Sequence, residues 1–74
     1  MAFVQLMFMT HKRKVYVKAY YDEELSPPQW GIIRFHKNPD KSLEVFDWDG
    51  ADNKTDAKRR AKKIAERRGE ILEE

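Results

Sequence analysis

Residues 55–69, TDAKRRAKKIAERRG, set the architecture of this chain. Wound at about 100° per residue, Ala57, Ala61, Ile64 and Ala65 fall in one narrow arc, and Lys58, Arg59, Arg60, Lys62, Lys63 and Arg67 spread around the rest. The flanking chemistry marks both ends of a helix. Asn53 or Thr55 serves as N-cap, Asp56 places an acid in the first turn, and Gly69 supplies the residue that leaves the last turn. The small alanines allow this helix to approach a sheet closely.

The preceding residues supply that sheet. VYVKAYY (15–21), WGIIRFH (30–36) and LEVFDW (43–48) are rich in β-branched and aromatic residues. They are separated by DEELSPPQ, whose paired prolines end regular structure, and by KNPDKS, a Pro-Asp turn. FVQLMFM (3–9) reads as a further strand, and EILEE after Gly69 as a short final strand or a tail. The expected fold is therefore α+β, in one domain spanning residues 1–74: an antiparallel sheet of three or four strands with one C-terminal helix on one face.

Period-two alternation sorts each strand into faces. Val15, Val17 and Ala19 oppose Tyr16, Lys18 and Tyr20; Ile33 and Phe35 oppose Trp30, Ile32, Arg34 and His36; Leu43 and Val45 oppose Glu44, Phe46 and Trp48. The aliphatic set is expected to take the helix. The other face then carries Tyr16, Tyr20, Trp30, Phe46 and Trp48 among Lys18, Arg34 and His36, a mixture of rings and cations suited to stacking on bases. Cover by residues 3–9 or by a second copy is the alternative, since large apolar patches are rarely left open.

Composition narrows the function classes. A chain of 74 residues buries a small share of its surface and is marginal in stability, which makes a homodimer one expected route to a larger core. With no cysteine there is no disulfide, no thiolate nucleophile and no thiolate zinc site. The apolar opening MAFVQLMFM is far shorter than the ~20 residues of a membrane span and lacks the flanks of a signal peptide. A cytoplasmic protein with no membrane partner is expected. Net charge is only +2, yet residues 54–68 hold eight basic and two acidic side chains, against seven and eight in residues 1–53. That local basic field attracts polyanions.

No site for catalysis stands out. DWDGADNKTD places Asp47, Asp49 and Asp52 near a glycine, but an EF-hand loop needs Gly where Asp52 stands and Glu where Lys58 stands, so turn and cap chemistry is expected there. His11 and His36 are isolated in sequence, and three glycines form no phosphate-binding loop. No enzyme activity, metal or cofactor is expected.

The order from Val15 to Gly69, three strands and then a helix, resembles the plant ethylene-response-factor DNA-binding domain and the amino-terminal arm-binding domains of tyrosine integrases. WGIIR, LEVFDW and TDAKRRAKKIA are the matching segments. This chain lacks the Arg-rich first strand of those families and adds an amino-terminal one. The resemblance implies a sheet that enters the major groove through Trp30 and Arg34, with Lys18 beside them and the helix behind. Together the readings point to a nucleic-acid-binding module using Lys18, Trp30, Arg34, Lys62 and Lys63. The alternative is a protein-interaction module or small inhibitor that docks the aromatic face on an acidic partner.

Overall fold

The computed structural model describes residues 13–74. In chain order these form β1 (Tyr16–Asp22), β2 (Gln29–Lys37), β3 (Leu43–Gly50), α1 (Lys54–Arg68) and β4 (Ile71–Leu72). The strands make one sheet in the order β3-β2-β1-β4. Neighbours β1, β2 and β3 are antiparallel, whereas β4 runs parallel to β1, pairing Ile71 with Tyr16 and Leu72 with Val17. The sheet is thus mixed, with the short final strand on its edge. The strand expected over residues 3–9 lies outside the described residues.

Turn chemistry fixes the registers. After β2 the Lys41 amide bonds the Asn38 carbonyl at 2.9 Å, and the Asn38 amide bonds the Ser42 carbonyl at 2.9 Å. Pro39 suits the second position of such a turn, and Lys41 takes the left-handed conformation (φ 73°) that brings the chain back into β3. Asp40 Oδ1 accepts from the Ser42 amide and hydroxyl, which holds the Asp40 carboxyl below its usual range. Between β1 and β2, Asp22 accepts from the Glu24 amide to begin the proline-containing turn.

Asn53 caps α1, its side chain accepting from the Asp56 amide at 2.8 Å, and Asp56 accepts in return from the Asp52 amide. At the other end Gly69 (φ 66°) donates to the Ala65 carbonyl, as does Glu70 at 2.9 Å. This left-handed closure turns the chain sharply into β4.

The helix lies on one side of the sheet. Ala57, Ala61 and Ala65 meet Val17, Ile32 and Ala51 in a buried core, with Ala19, Trp30, Ile64 and Leu72 partly buried around it. Val17 and Phe35 are fully buried, and burying a side chain of this size contributes about 2 kcal/mol. No helix among the described residues is long and apolar enough to cross a membrane.

Candidate functional site

Directly paired residues of antiparallel strands share a face. Val17 pairs with Arg34, Ala19 with Ile32 and Tyr21 with Trp30, so all six side chains project to the helix side. On the other side, open in that no element among the described residues packs on it, Tyr16 pairs with Phe35, Lys18 with Ile33 and Tyr20 with Gly31. The expected partition holds for β1 and is inverted for β2. Ile33 and Phe35, expected under the helix, lie on the open side, and Trp30 and Arg34 lie on the helix side. The cause is the run Ile32-Ile33 in a central strand buried on both faces, for which alternation marks two sets without saying which faces the helix.

β3 changes parity along its length. Arg34 pairs with Asp47 but Phe35 pairs with Val45, leaving Phe46 as the extra residue of a bulge. Val45 and Trp48 therefore share the open side, while Phe46 turns to the helix side. There its ring lies 4.8 Å from the Arg34 guanidinium and 5.0 Å from the His36 ring. Leu43 and Val45, expected under α1, project away from it instead.

Arg34 is committed to the fold. Its Nε and Nη2 donate to the two oxygens of Glu70 at 2.9 and 2.6 Å, and Nη1 reaches Asp47 at 3.4 Å. The paired side chains are only 16% (Arg34) and 11% (Glu70) exposed. This hydrogen bonding holds the Glu70 carboxyl below the usual glutamate range and raises Arg34 further. A guanidinium engaged in this way has little left to offer a base edge or a phosphate.

Lys18 is also compensated. Glu73, following β4, reaches Lys18 at 3.8 Å and also Lys37, bridging the two lysines on the open side. Lys18 and Lys37 further lie over the Phe35 and Tyr16 rings at 5.2 and 4.4 Å. Around them the open side exposes Tyr20, Leu43, Val45 and Trp48 by 38–49%. It is an aromatic and aliphatic surface with its charges largely cancelled.

The helix cations fall into two groups. Arg59 pairs with Asp56, Arg60 with Asp49 and the Gly50 carbonyl, and Arg68 with Glu70. Lys54, Lys58, Lys62, Lys63 and Arg67 are exposed and have no carboxylate partner among the described residues. Asp47 and Asp49 are paired with Arg34 and Arg60.

The five residues singled out in sequence thus occupy three places: Trp30 and Arg34 on the helix side of β2, Lys18 on the open side, and Lys62 and Lys63 on the outer surface of α1. Of the five only Lys18 and Trp30 meet, where both line a cleft at the β1 edge beside Lys58, so they do not form one patch. Glu70 and Glu73 carry no mark in sequence as partners of Arg34 and Lys18, since they lie 36 and 55 residues away on either side of a two-residue strand. Lys54, Lys58 and Lys62 have a visible i, i+4, i+8 spacing, but only the ion pairs of the structure separate them from the arginines. Comparison with protein-family models, with curated proteins and with solved structures gave no match to this chain.

Proposed function

We propose that this chain is a non-enzymatic module that binds nucleic acid through phosphate contacts from the outer surface of α1, with Lys58, Lys62, Lys63 and Arg67 as the contacting cations. One observation carries the reading: the basic residues of α1 divide into arginines tied to carboxylates and an exposed set of four lysines and one arginine without them. A cation in an ion pair has its charge partly offset by the carboxylate, so unpaired exposed ones gain more from a phosphate and the counterions it releases. The resemblance of the sequence to groove-binding domains favours nucleic acid as the ligand. It does not supply the mode, because Trp30 and Arg34 face α1 here and Arg34 is held by Glu70.

Amide chemical shifts followed during titration with short duplexes and single strands test this. Changes are expected along Lys58–Arg67 and not at Tyr20 or Trp48. A titration at about 50 mM salt, where phosphate contacts are strong, that moves no amide contradicts the proposal.

A second reading has its own support. The open side exposes Tyr20, Leu43, Val45 and Trp48 on a surface whose two lysines are bridged by Glu73. Apolar area with cancelled charge suits a protein partner. Such a complex is expected to be nearly insensitive to salt and to be lost in Trp48→Ala.

A further inference from the structure

On the flank of α1 that faces β4, the sheet and helix diverge. β4 pairs only with Tyr16 and Val17, so β1 beyond them has no outer neighbour among the described strands. The divergence leaves a cleft of about 270 Å³ lined by Ala19, Ala61 and Leu72, with Trp30 as its aromatic wall and Lys18, Lys58, Glu73 and Glu74 as its polar residues at the sheet edge and helix. Sites for drug-sized ligands run from about 300 to 1,000 Å³, so this one has room for a single flat ring system.

The charges beside the cleft are ordered. Lys54, Lys58 and Lys62 succeed one another every four residues, about 6 Å apart along the helix, the interval between neighbouring phosphates of an extended strand. Lys54 already lies 5.8 Å from the Trp30 ring centroid, which ties the start of this row to the cleft. The opposite flank is different: there Arg60 is bound to Asp49 and the Gly50 carbonyl, and no such row is free. Of the acids at the rim, Glu73 is engaged by Lys18 and Lys37, so the three lysines outweigh the remaining Glu74.

We propose that this cleft receives one unpaired nucleobase, stacked or edged against Trp30, with the adjoining phosphates of the same strand on Lys54, Lys58 and Lys62. The inference rests on the nucleic-acid reading above and makes single-stranded nucleic acid the ligand. An aromatic wall beside a track of cations is how sequence-tolerant single-strand sites hold bases, since every base has a π-face. A base within a duplex cannot enter, because its faces are already stacked.

The test needs no variant. Trp30 and Trp48 are the only tryptophans and project to opposite sides of the sheet, so their indole N–H resonances report separately on the cleft and on the open side. The intact chain is titrated with an eight-nucleotide single strand, with an abasic strand of the same length, and with a blunt duplex. The single strand is expected to move the Trp30 indole resonance and leave that of Trp48, and to bind about tenfold more tightly than the abasic strand. The duplex is expected to leave Trp30 unmoved. If abasic and normal strands bind equally and Trp30 does not respond, binding is by phosphate alone: the cleft is not a base site, and the wider proposal stands. If no ligand binds at about 50 mM salt, both fall.

Discussion

Arg34 and Glu70, 36 residues apart in sequence, are joined by two hydrogen bonds of 2.9 and 2.6 Å where α1 hands the chain to β4. The left-handed turn at Gly69 sets that position: it ends the helix and delivers Glu70 to the central strand. A residue that resembles a groove-reading arginine in sequence is thereby a clasp between the sheet and the C-terminal segment. Arg34→Ala is expected to destabilise the fold by about 1–3 kcal/mol, because it leaves a mostly covered carboxylate short of its donors. Arg34→Lys cannot restore the two-pronged geometry. Thermal melting checks this; an unchanged midpoint with lost nucleic-acid binding returns Arg34 to a contact role.

Acid stability follows from the same pair. Glu70 titrates below its usual range chiefly through its hydrogen bonds to Arg34, Asp56 through Arg59, and Asp40 through Ser42. For a depressed carboxyl, the stabilisation is present in full above the unfolded value, about 4.3 for Glu and 3.9 for Asp. It is lost as pH falls through the lower folded value, where the native state also takes up the proton. Melting temperature is expected to decline below about pH 4, and to decline less steeply in Glu70→Gln, which starts from a lower plateau. Equal acid slopes in the two proteins contradict the assignment.

Gly31 is expected to tolerate no side chain. A Cβ there sits 2.6 Å from the Asp49 carbonyl oxygen and 2.8 Å from the Trp48 ring. Trp48 can rotate away, but the Asp49 carbonyl belongs to the neighbouring strand. Gly31→Ala should cost about 1–3 kcal/mol, read as a lowered denaturation midpoint with unchanged slope. A neutral result contradicts the close approach of the Asp49 carbonyl to Gly31.

Lys41 offers the opposite case. Its φ of 73° strains a side-chain-bearing residue in the β2–β3 turn, and neither the turn's hydrogen bonds nor its ion pairs use the Lys41 side chain. Lys41→Gly is expected to be neutral or to stabilise by up to about 1 kcal/mol, the relief of the left-handed conformation outweighing the entropy of the added glycine. A clear loss of stability shows that the turn is not strained there.

What the sequence made legible was local. Asn53, Asp56 and Gly69 bound the helix by short-range hydrogen bonds, and Pro27, Pro28 and Pro39 punctuate the strands; these act within a few residues and read directly. The faces of β1 were legible too, since only one of its sets is aliphatic. β2 was not, because Ile32 and Ile33 are both buried and on opposite sides. Phe46 was misplaced because a bulge leaves no mark in a period-two pattern. The partners of Lys18 and Arg34 lie on a segment whose strand is only two residues long and far away in sequence, so the candidate site was legible as a list of cations and not as a geometry.

The salt dependence of nucleic-acid binding is the most direct test of the central claim, that the unpaired cations of α1 make the contacts. Each phosphate contact adds about 0.7 to 0.9 to the slope of log affinity against log salt. Lys62→Gln with Lys63→Gln, both exposed and outside the core, is expected to shallow that slope by roughly 1.5 without changing the melting curve. Lys37→Gln, on the far side of the sheet, paired with Glu73 and outside the cleft, is expected to leave it unchanged. A slope that Lys62 and Lys63 do not affect, or one that collapses in Lys37→Gln, contradicts the account and moves the interface to the open side of the sheet.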